Sequence, residues 1–208
     1  MKEWSSVLFC GAFDGETDIL ARIAGLKVYN VGIGMHDPIF NLQRYLSKND
    51  KIKSIMFLGS AGAYPHSGLH LGDIVASNKF LYRDIAEIKN MAKVPDVVTR
   101  HVLTDIDERL EKMIKKFDFP WVITNSMNYI TLVDLPQEEL IGSLFDVGVE
   151  NMEAFSIAYV ANRFSIKFTS LYYVTNIVGA NGSLDWARNW REGSNVLQKK
   201  VIRYLQGR

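Results

Sequence analysis

The sequence predicts an α/β protein, a three-layer α/β/α sandwich around a mixed central sheet. Two observations carry this prediction. Short apolar runs alternate with amphipathic helical segments along the whole chain, the pattern of βα units. The run Ile55-Met56-Phe57-Leu58 is apolar at every position, as expected of a strand covered on both faces. With 208 residues, no linker and no internal repeat, one domain spanning 1–208 is expected.

Each element has its own signal. Val7-Leu8-Phe9-Cys10 reads as a short buried strand. Glu16 to Ala24 reads as a helix, with Ile19, Leu20 and Ile23 on one face. Lys27 to Val31 is a second strand. Pro38 to Leu46 carries Ile39, Leu42 and Leu46 at helical spacing. The apolar run at Ile55 follows, and Leu71 to Leu81 has strand character after a Gly-rich turn. Asp105 to Phe117 is a charged amphipathic helix, and Trp121-Val122-Ile123 a strand. Pro136 to Phe145 reads as a helix opened by proline, which suits the first helical position. Ala154, Phe155, Ala158 and Ala161 mark another helix. Phe168 to Val174 is β-branched and aromatic, hence a strand. Trp190, Leu197, Val201 and Leu205 give the last helix an apolar stripe. In sheets of this kind ligands bind beyond the carboxyl ends of strands, so the chemistry is expected in the loops that follow them.

Composition removes several function classes. A hydrophobic content of 48% with 12% aromatics argues against disorder. A net charge of +1 gives no global field for nucleic acid or an anionic membrane. The one cysteine, Cys10, allows no internal disulfide framework and fits a reducing compartment. The apolar run near the N-terminus is too short for a signal peptide, and no stretch approaches the ~20 residues that span a bilayer. A cytoplasmic protein is the expectation. Gly32-Ile33-Gly34 resembles the start of a dinucleotide fingerprint, but Asp37 stands where the third glycine belongs. A Walker A pattern and a Gly-x-Ser-x-Gly elbow are both missing. His36, His66, His70 and His101 lack metal-ligand spacing, so no zinc site is expected.

Four segments that follow strands stand out. They are Gly11-Ala12-Phe13-Asp14-Gly15-Glu16, Gly59-Ser60-Ala61-Gly62-Ala63, Glu150-Asn151-Met152-Glu153-Ala154 and Val174-Thr175-Asn176. Taken in this order, and with Leu71-Gly72-Asp73-Ile74-Val75 after the glycine loop, they resemble the nucleoside phosphorylase and nucleosidase family over nearly the whole chain. Within it, Val149 to Glu153, Thr175-Asn176, Val178-Gly179 and Trp190 are most similar to the futalosine hydrolase branch, whose members belong to menaquinone biosynthesis.

The resemblance implies a nucleoside phosphorylase-like fold and cleavage of a purine nucleoside at its N-glycosidic bond. That reaction builds oxocarbenium character on the ribose and negative charge on the departing base. Carboxylates near the sugar stabilise the first, and hydrogen-bond donors at the base relieve the second. By resemblance Glu153 binds the ribose hydroxyls, with Met152 packed beneath the sugar and Ser60 beside it. Glu16 aligns with the acidic residue that orients water and takes its proton. Asp14 is close enough to compete for that role, and both also fit a helix first turn. Gly59, Ala61 and Gly62 form the loop near the nucleophile, where glycine permits close backbone approach. Tyr129 and Ile130 resemble an aromatic-Ile pair that stacks the base, although a core tyrosine would read the same. Trp186, Trp190 and Arg191 are candidates for the far end of the pocket.

Asn176 is the informative departure, because adenine nucleosidases carry aspartate there. An asparagine amide donates to N7 or to an O6 carbonyl but cannot act as a general acid. A 6-oxopurine such as hypoxanthine suits it. The arginines that clamp phosphate in the family's phosphorylases are missing: one position falls at Phe57 or Leu58, the other in the acidic stretch Asp14 to Glu16. Water is therefore the expected nucleophile, since bidentate phosphate binding favours arginine. The expected activity is hydrolysis of a 6-oxopurine nucleoside, futalosine above others, without metal or organic cofactor, in a homodimer or larger homo-oligomer. Two alternatives stay open. One is a purine nucleoside phosphorylase or a methylthioadenosine/adenosylhomocysteine nucleosidase. The other is a non-catalytic nucleoside binder, because the chain is short for the family and Lys79 to Arg100 departs from its pattern.

Overall fold

The computed structural model describes residues 2–136 and 142–207. Its strands are β1 (Val7–Gly11), β2 (Lys27–Asn30), β3 (Ser54–Ala63), β4 (Ile74–Leu81), β5 (His101–Leu103), β6 (Trp121–Asn125), β7 (Val147–Glu150) and β8 (Lys167–Ile177). Its α-helices are α1 (Asp14–Thr17), α2 (His36–Leu46), α3 (Ile85–Ile88), α4 (Glu108–Lys116), α5 (Ala154–Arg163) and α6 (Gly182–Leu205). The strands form one mixed sheet in the order β2-β1-β3-β7-β6-β4-β5, and β8 pairs with both β3 and β4. That double pairing curls the sheet on itself, because β3, β8, β4, β6 and β7 each meet the next and β7 returns to β3.

Side chains on β1, β3 and β8 alternate between two cores, as the two-residue period of a strand requires. Leu8, Cys10, Ile55, Phe57, Phe168 and Tyr172 pack with Leu42 and Leu46 of α2 and Ile157 and Ala161 of α5. Val7, Phe9, Met56, Leu58 and Leu171 pack on the other side with Leu110, Met113 and Ile114 of α4 and Leu197, Val201 and Leu205 of α6. Helices on both faces make the three layers that the apolar run at Ile55 predicts. Among the described residues no helix is long and apolar enough to cross a membrane.

Several boundaries differ from the sequence reading, each for a local reason. The helix expected over Glu16 to Ala24 is a single turn, α1, followed by a 3₁₀ turn at Leu20–Arg22. Ile19 and Leu20 give their N–H groups to the Gln198 side chain at 2.8 and 3.1 Å, so the Gln198 amide replaces helical acceptors there. The helix expected from Asp105 begins at Glu108, where Asp107 caps it by accepting the Arg109 N–H at 3.0 Å. The last helix starts well before Trp190, at Gly182. β5, α3 and β7 had no sequence assignment; each is four residues or fewer, too short to show a period. The helix read over Pro136 to Phe145 lies partly outside the described residues.

Candidate active site

A cavity of about 440 Å³ opens where the carboxyl ends of β1, β3, β7 and β8 meet. Four features of the backbone build it. After β1 the chain turns so tightly that a Cβ on Gly11 would lie 2.8 Å from the Thr17 side chain and 2.9 Å from Cβ of Glu16. The turn folds Glu16 back onto its own strand end, where its Oε2 accepts the Ala12 N–H at 2.7 Å. Its other oxygen accepts the Ser60 N–H of β3 at 3.3 Å.

After β2, Gly34 has φ +80°, a left-handed conformation that glycine tolerates. It sends its N–H to Oε1 of Glu153 at 2.9 Å. A Cβ at Gly34 would sit 2.6 Å from the Asn128 amide oxygen, itself bound to the Met35 N–H at 2.9 Å. The Gly-x-Gly pair that resembled a dinucleotide loop thus supplies a donor to a carboxylate.

After β7, Asn151 organises the start of α5. Its Oδ1 accepts the N–H groups of Glu153 and Ala154 at 3.0 and 2.9 Å, a side-chain cap two residues before the helix's own boundary. Its Nδ2 donates to Oε2 of Glu153 at 3.0 Å and to the Ser60 carbonyl at 3.1 Å. Asn151 therefore ties the helix start, the Glu153 carboxylate and β3 together. Sequence reasoning gave it no role; an asparagine just before an apolar helical run is the N-cap signal that could have revealed it.

Near the end of β8 the register against β3 slips. Ala61 faces Val174, but Gly62 faces Asn176, so Thr175 is the extra residue of a bulge. Both Thr175 and Asn176 line the cavity. The Thr175 hydroxyl donates to Oδ1 of Asn176 at 3.0 Å, which fixes the amide with its NH₂ group the other way. That NH₂ lies against Gly62, where a Cβ would be 2.7 Å away, and near Gly182, where one would be 3.2 Å away.

The electrostatics follow from burial. Glu16 and Glu153 are 5% and 6% exposed. Loss of hydration raises the Glu16 carboxyl to about 8, with repulsion from Glu153 adding to it and the Ala12 and Ser60 N–H groups opposing it. Burial likewise raises Glu153 to about 7 against the Gly34 and Asn151 donors. A cation placed between them would reverse both shifts. None of the described residues lining the cavity is Arg, Lys or His.

The cavity joins most of the residues singled out by sequence: Glu16, Ser60, Ala61, Gly62, Ile130, Met152, Glu153 and Asn176 all line it. Asp14 is exposed and accepts from the Asn30 amide instead. Gly59 lies behind, on a small cavity shared by Glu16 and Trp190. Tyr129 is not in the main cavity wall; its hydroxyl donates to Asp84 at 3.0 Å and accepts the Ile85 N–H at 3.3 Å, which holds the phenol elsewhere. Trp186 lines the cavity and donates to the Ser60 hydroxyl at 2.9 Å, stacked on Trp190 at 5.9 Å. Arg191 is occupied by Asp18, with two contacts of 3.1 and 2.9 Å. Ala12, Phe13, Ile33, Glu150, Asn151 and Thr175 complete the described wall without having been assigned a role from sequence.

Comparison with known proteins agrees with this architecture. The chain resembles the methylthioadenosine/S-adenosylhomocysteine nucleosidase of Neisseria meningitidis in complex with methylthio-immucillin-A, at 16% identity and a TM-score of 0.78, covering 97% of this chain and 99% of that one. A futalosine hydrolase mutant of Helicobacter pylori gives 13% identity, a TM-score of 0.78 and the same coverage. The Streptococcus pneumoniae MTA/SAH nucleosidase in complex with 8-aminoadenine gives 14%, 0.77, and coverage of 96% and 98%. At these identities the likeness is one of fold. No curated protein sequence matches the chain. The sequence profile of the phosphorylase superfamily matches residues 15–206, nearly the whole length, and the chain belongs to that superfamily.

Proposed function

We propose that this protein is a nucleosidase that hydrolyses the N-glycosidic bond of a 6-oxopurine nucleoside, with futalosine as the preferred substrate. One observation carries the reading: two buried carboxylates, Glu16 and Glu153, share a cavity with no cationic side chain among the described residues that line it. Burial and mutual repulsion disfavour ionisation of the pair until a positive charge arrives, and the ribosyl oxocarbenium of C–N cleavage is that charge. Phosphate would meet the two carboxylates with no cation to offset them. Water meets no such repulsion.

In this reading Glu153, held by Gly34 and Asn151, receives the ribose hydroxyls over Met152, with Ser60 at the sugar edge. Glu16 takes a proton from the attacking water as the water oxygen bonds to the anomeric carbon. The bond from that carbon to the purine nitrogen breaks, and its electron pair leaves with the base. Asn176 donates to the base with an amide that Thr175 orients, and Ile130 packs against it. Tyr129 would reach the base only by giving up Asp84, so the aromatic wall of the site falls to Phe13 and Trp186. The similar solved structures support a nucleoside-cleaving site in this fold, while the choice of futalosine rests on the sequence likeness and on Asn176.

The test is incubation of pure protein with futalosine in phosphate-free buffer, with hypoxanthine followed by chromatography. Release of hypoxanthine is expected. Absence of release at micromolar enzyme sinks the futalosine assignment, and strict dependence on phosphate would identify a phosphorylase. Rapid release of adenine from methylthioadenosine would overturn the reading of Asn176.

A further inference from the structure

Trp190 of α6 lies outside the main cavity wall. It lines a second, small cavity of about 10 Å³ together with Glu16, Leu58, Ser60, Tyr173 and Ser194. A space of that size holds one water at most. The indole is half-buried: part of it meets solvent, and part closes this space behind Glu16. We infer that Trp190 is a positioning residue for Glu16, an aromatic plate that keeps bulk water from the back of the carboxyl and braces the turn that carries it. The inference rests on the proposed role of Glu16 as the base that activates water.

The packing around the ring is tight. A Cβ on Gly15 would lie 2.7 and 2.9 Å from two carbons of the indole, so the chain carries glycine where the ring comes closest. Phe13 meets the ring edge-on at 5.2 Å, and Trp186 stacks on it at 5.9 Å. The Gly15 carbonyl accepts from Arg191 at 2.7 Å and from the Ser194 hydroxyl at 2.6 Å, both on α6. Helix α6 therefore grips the residue just before Glu16 by its Cα and by its carbonyl. The charged and titratable groups around the carboxyl do not replace this shielding. Glu153 faces Glu16 from α5 and repels it. Tyr173 of β8 borders the small cavity, its own hydroxyl raised by burial and by Glu192. Asp14, on the same turn, is exposed. Asp18 and Arg191 pair with each other at 2.9 Å, which leaves no net charge there. Burial is thus the largest influence on Glu16. On the side of the small cavity, the Trp190 ring stands between the carboxyl and solvent. The consequence is chemical: a carboxylate at its ordinary value is a weak base toward water, whereas one raised to about 8 is better matched to neutral pH.

The test follows the Glu16 carboxyl directly by nuclear magnetic resonance and needs no substrate. Glutamate is isotope-labelled at its carboxyl carbon, and the Glu16 signal is the one missing from Glu16→Gln. Its shift is then titrated against pH. In the wild type the midpoint is expected near 8. In Trp190→Leu it should fall by about one pH unit or more, as water reaches the carboxyl. Trp190→Phe keeps an aromatic plate, so its midpoint should move by less than about half as much. Gly15→Ala pushes the same ring away with its own Cβ and should lower the midpoint too, which keeps the test open if Trp190→Leu does not fold. A wild-type midpoint near the ordinary 4.5 overturns the inference without any variant. So does an unmoved midpoint in folded Trp190→Leu or, failing that variant, in Gly15→Ala. A lowered midpoint in a protein that cleaves no nucleoside keeps the shielding and sinks the hydrolase reading. Cleavage that requires Glu16, with an unmoved midpoint, does the reverse.

Discussion

Replacing Glu16 by glutamine should abolish activity and change how stability depends on pH. The folded carboxyl sits near 8, against 4.5 as its ordinary value. Between those two values the folded protein holds a proton that the unfolded chain releases, so stability falls as pH rises and levels off above the folded pKa. Each pH unit in that window costs about 1.4 kcal/mol. From about pH 5 to about pH 7 the wild type should therefore lose on the order of 2–3 kcal/mol through this one group. Glu153 contributes in the same direction, up to its own value of about 7. Glutamine cannot titrate, so the variant's stability should fall less steeply. It also places an NH₂ group opposite one of the two N–H donors, Ala12 or Ser60, a penalty of roughly 1–3 kcal/mol that does not vary with pH. The slope therefore carries the test, and the absolute stability does not. Urea titrations at several pH values between about 5 and 7 measure it, with the wild-type-minus-variant difference expected to shift by about 2–3 kcal/mol in favour of the variant. Activity should fall at least ~100-fold above about pH 8, where Glu16 is ionised and able to act as a general base, and by less as pH falls below that value. Parallel stability curves would show that Glu16 is not held protonated by burial. Retained turnover would remove it from the chemistry.

Other substitutions address the rest of the site. Glu153→Gln removes the charge that repels Glu16, so the alkaline-rising limb of residual kcat/KM should move to lower pH; an unmoved limb would separate the two carboxylates. Asn176→Asp supplies a group able to share a proton with N7 and accept from an amino group. The ratio of adenine release to hypoxanthine release should rise at least ~10-fold in competition assays, and an unchanged ratio would remove Asn176 from base selection. Gly34→Ala forces a side chain into φ +80° and against Asn128, withdrawing a donor from Glu153; KM should rise and the melting temperature fall by several degrees, roughly 1–2 kcal/mol.

The layers of the fold were legible because β1 and β3 are buried on both faces and carry unbroken apolar runs, and β8 is β-branched and aromatic. The closure of the sheet was not, since it depends on two short pairings, Gly62–Glu150 and Ala63–Val149, that no periodicity announces. Glu16 and Glu153 were legible as carboxylates next to strand ends. Their anchors were harder. Asn151 acts through a cap whose geometry spans a turn, and Gly34 acts through a backbone N–H that no side chain advertises. Glu150 was read as a family marker because a glutamate at a strand end is ordinarily exposed, whereas here Thr131 and Tyr64 solvate it inside. Tyr129 shows the opposite error: its aromatic character suggested stacking, but a tyrosine with a nearby aspartate is placed by its hydroxyl.

Strand β3 explains why these residues converge. Ser60 is held at all three of its polar groups: its N–H by Glu16, its carbonyl by Asn151 and its hydroxyl by Trp186. Two residues further on, Gly62 has Asn176 and Glu150 on its two edges. Two residues of extended chain span about 7 Å. The carboxylate end and the amide end of the cavity are thus fixed to one rigid strand, a sugar-to-base distance apart. In the proposed reaction the sugar becomes cationic between Glu16 and Glu153 while the base gathers negative charge against the Asn176 amide. Small ligands with a single charged end would use only half of the site. On the proposed reading the strand suits a reaction that separates charge along its own length, as cleavage of a glycosidic C–N bond does.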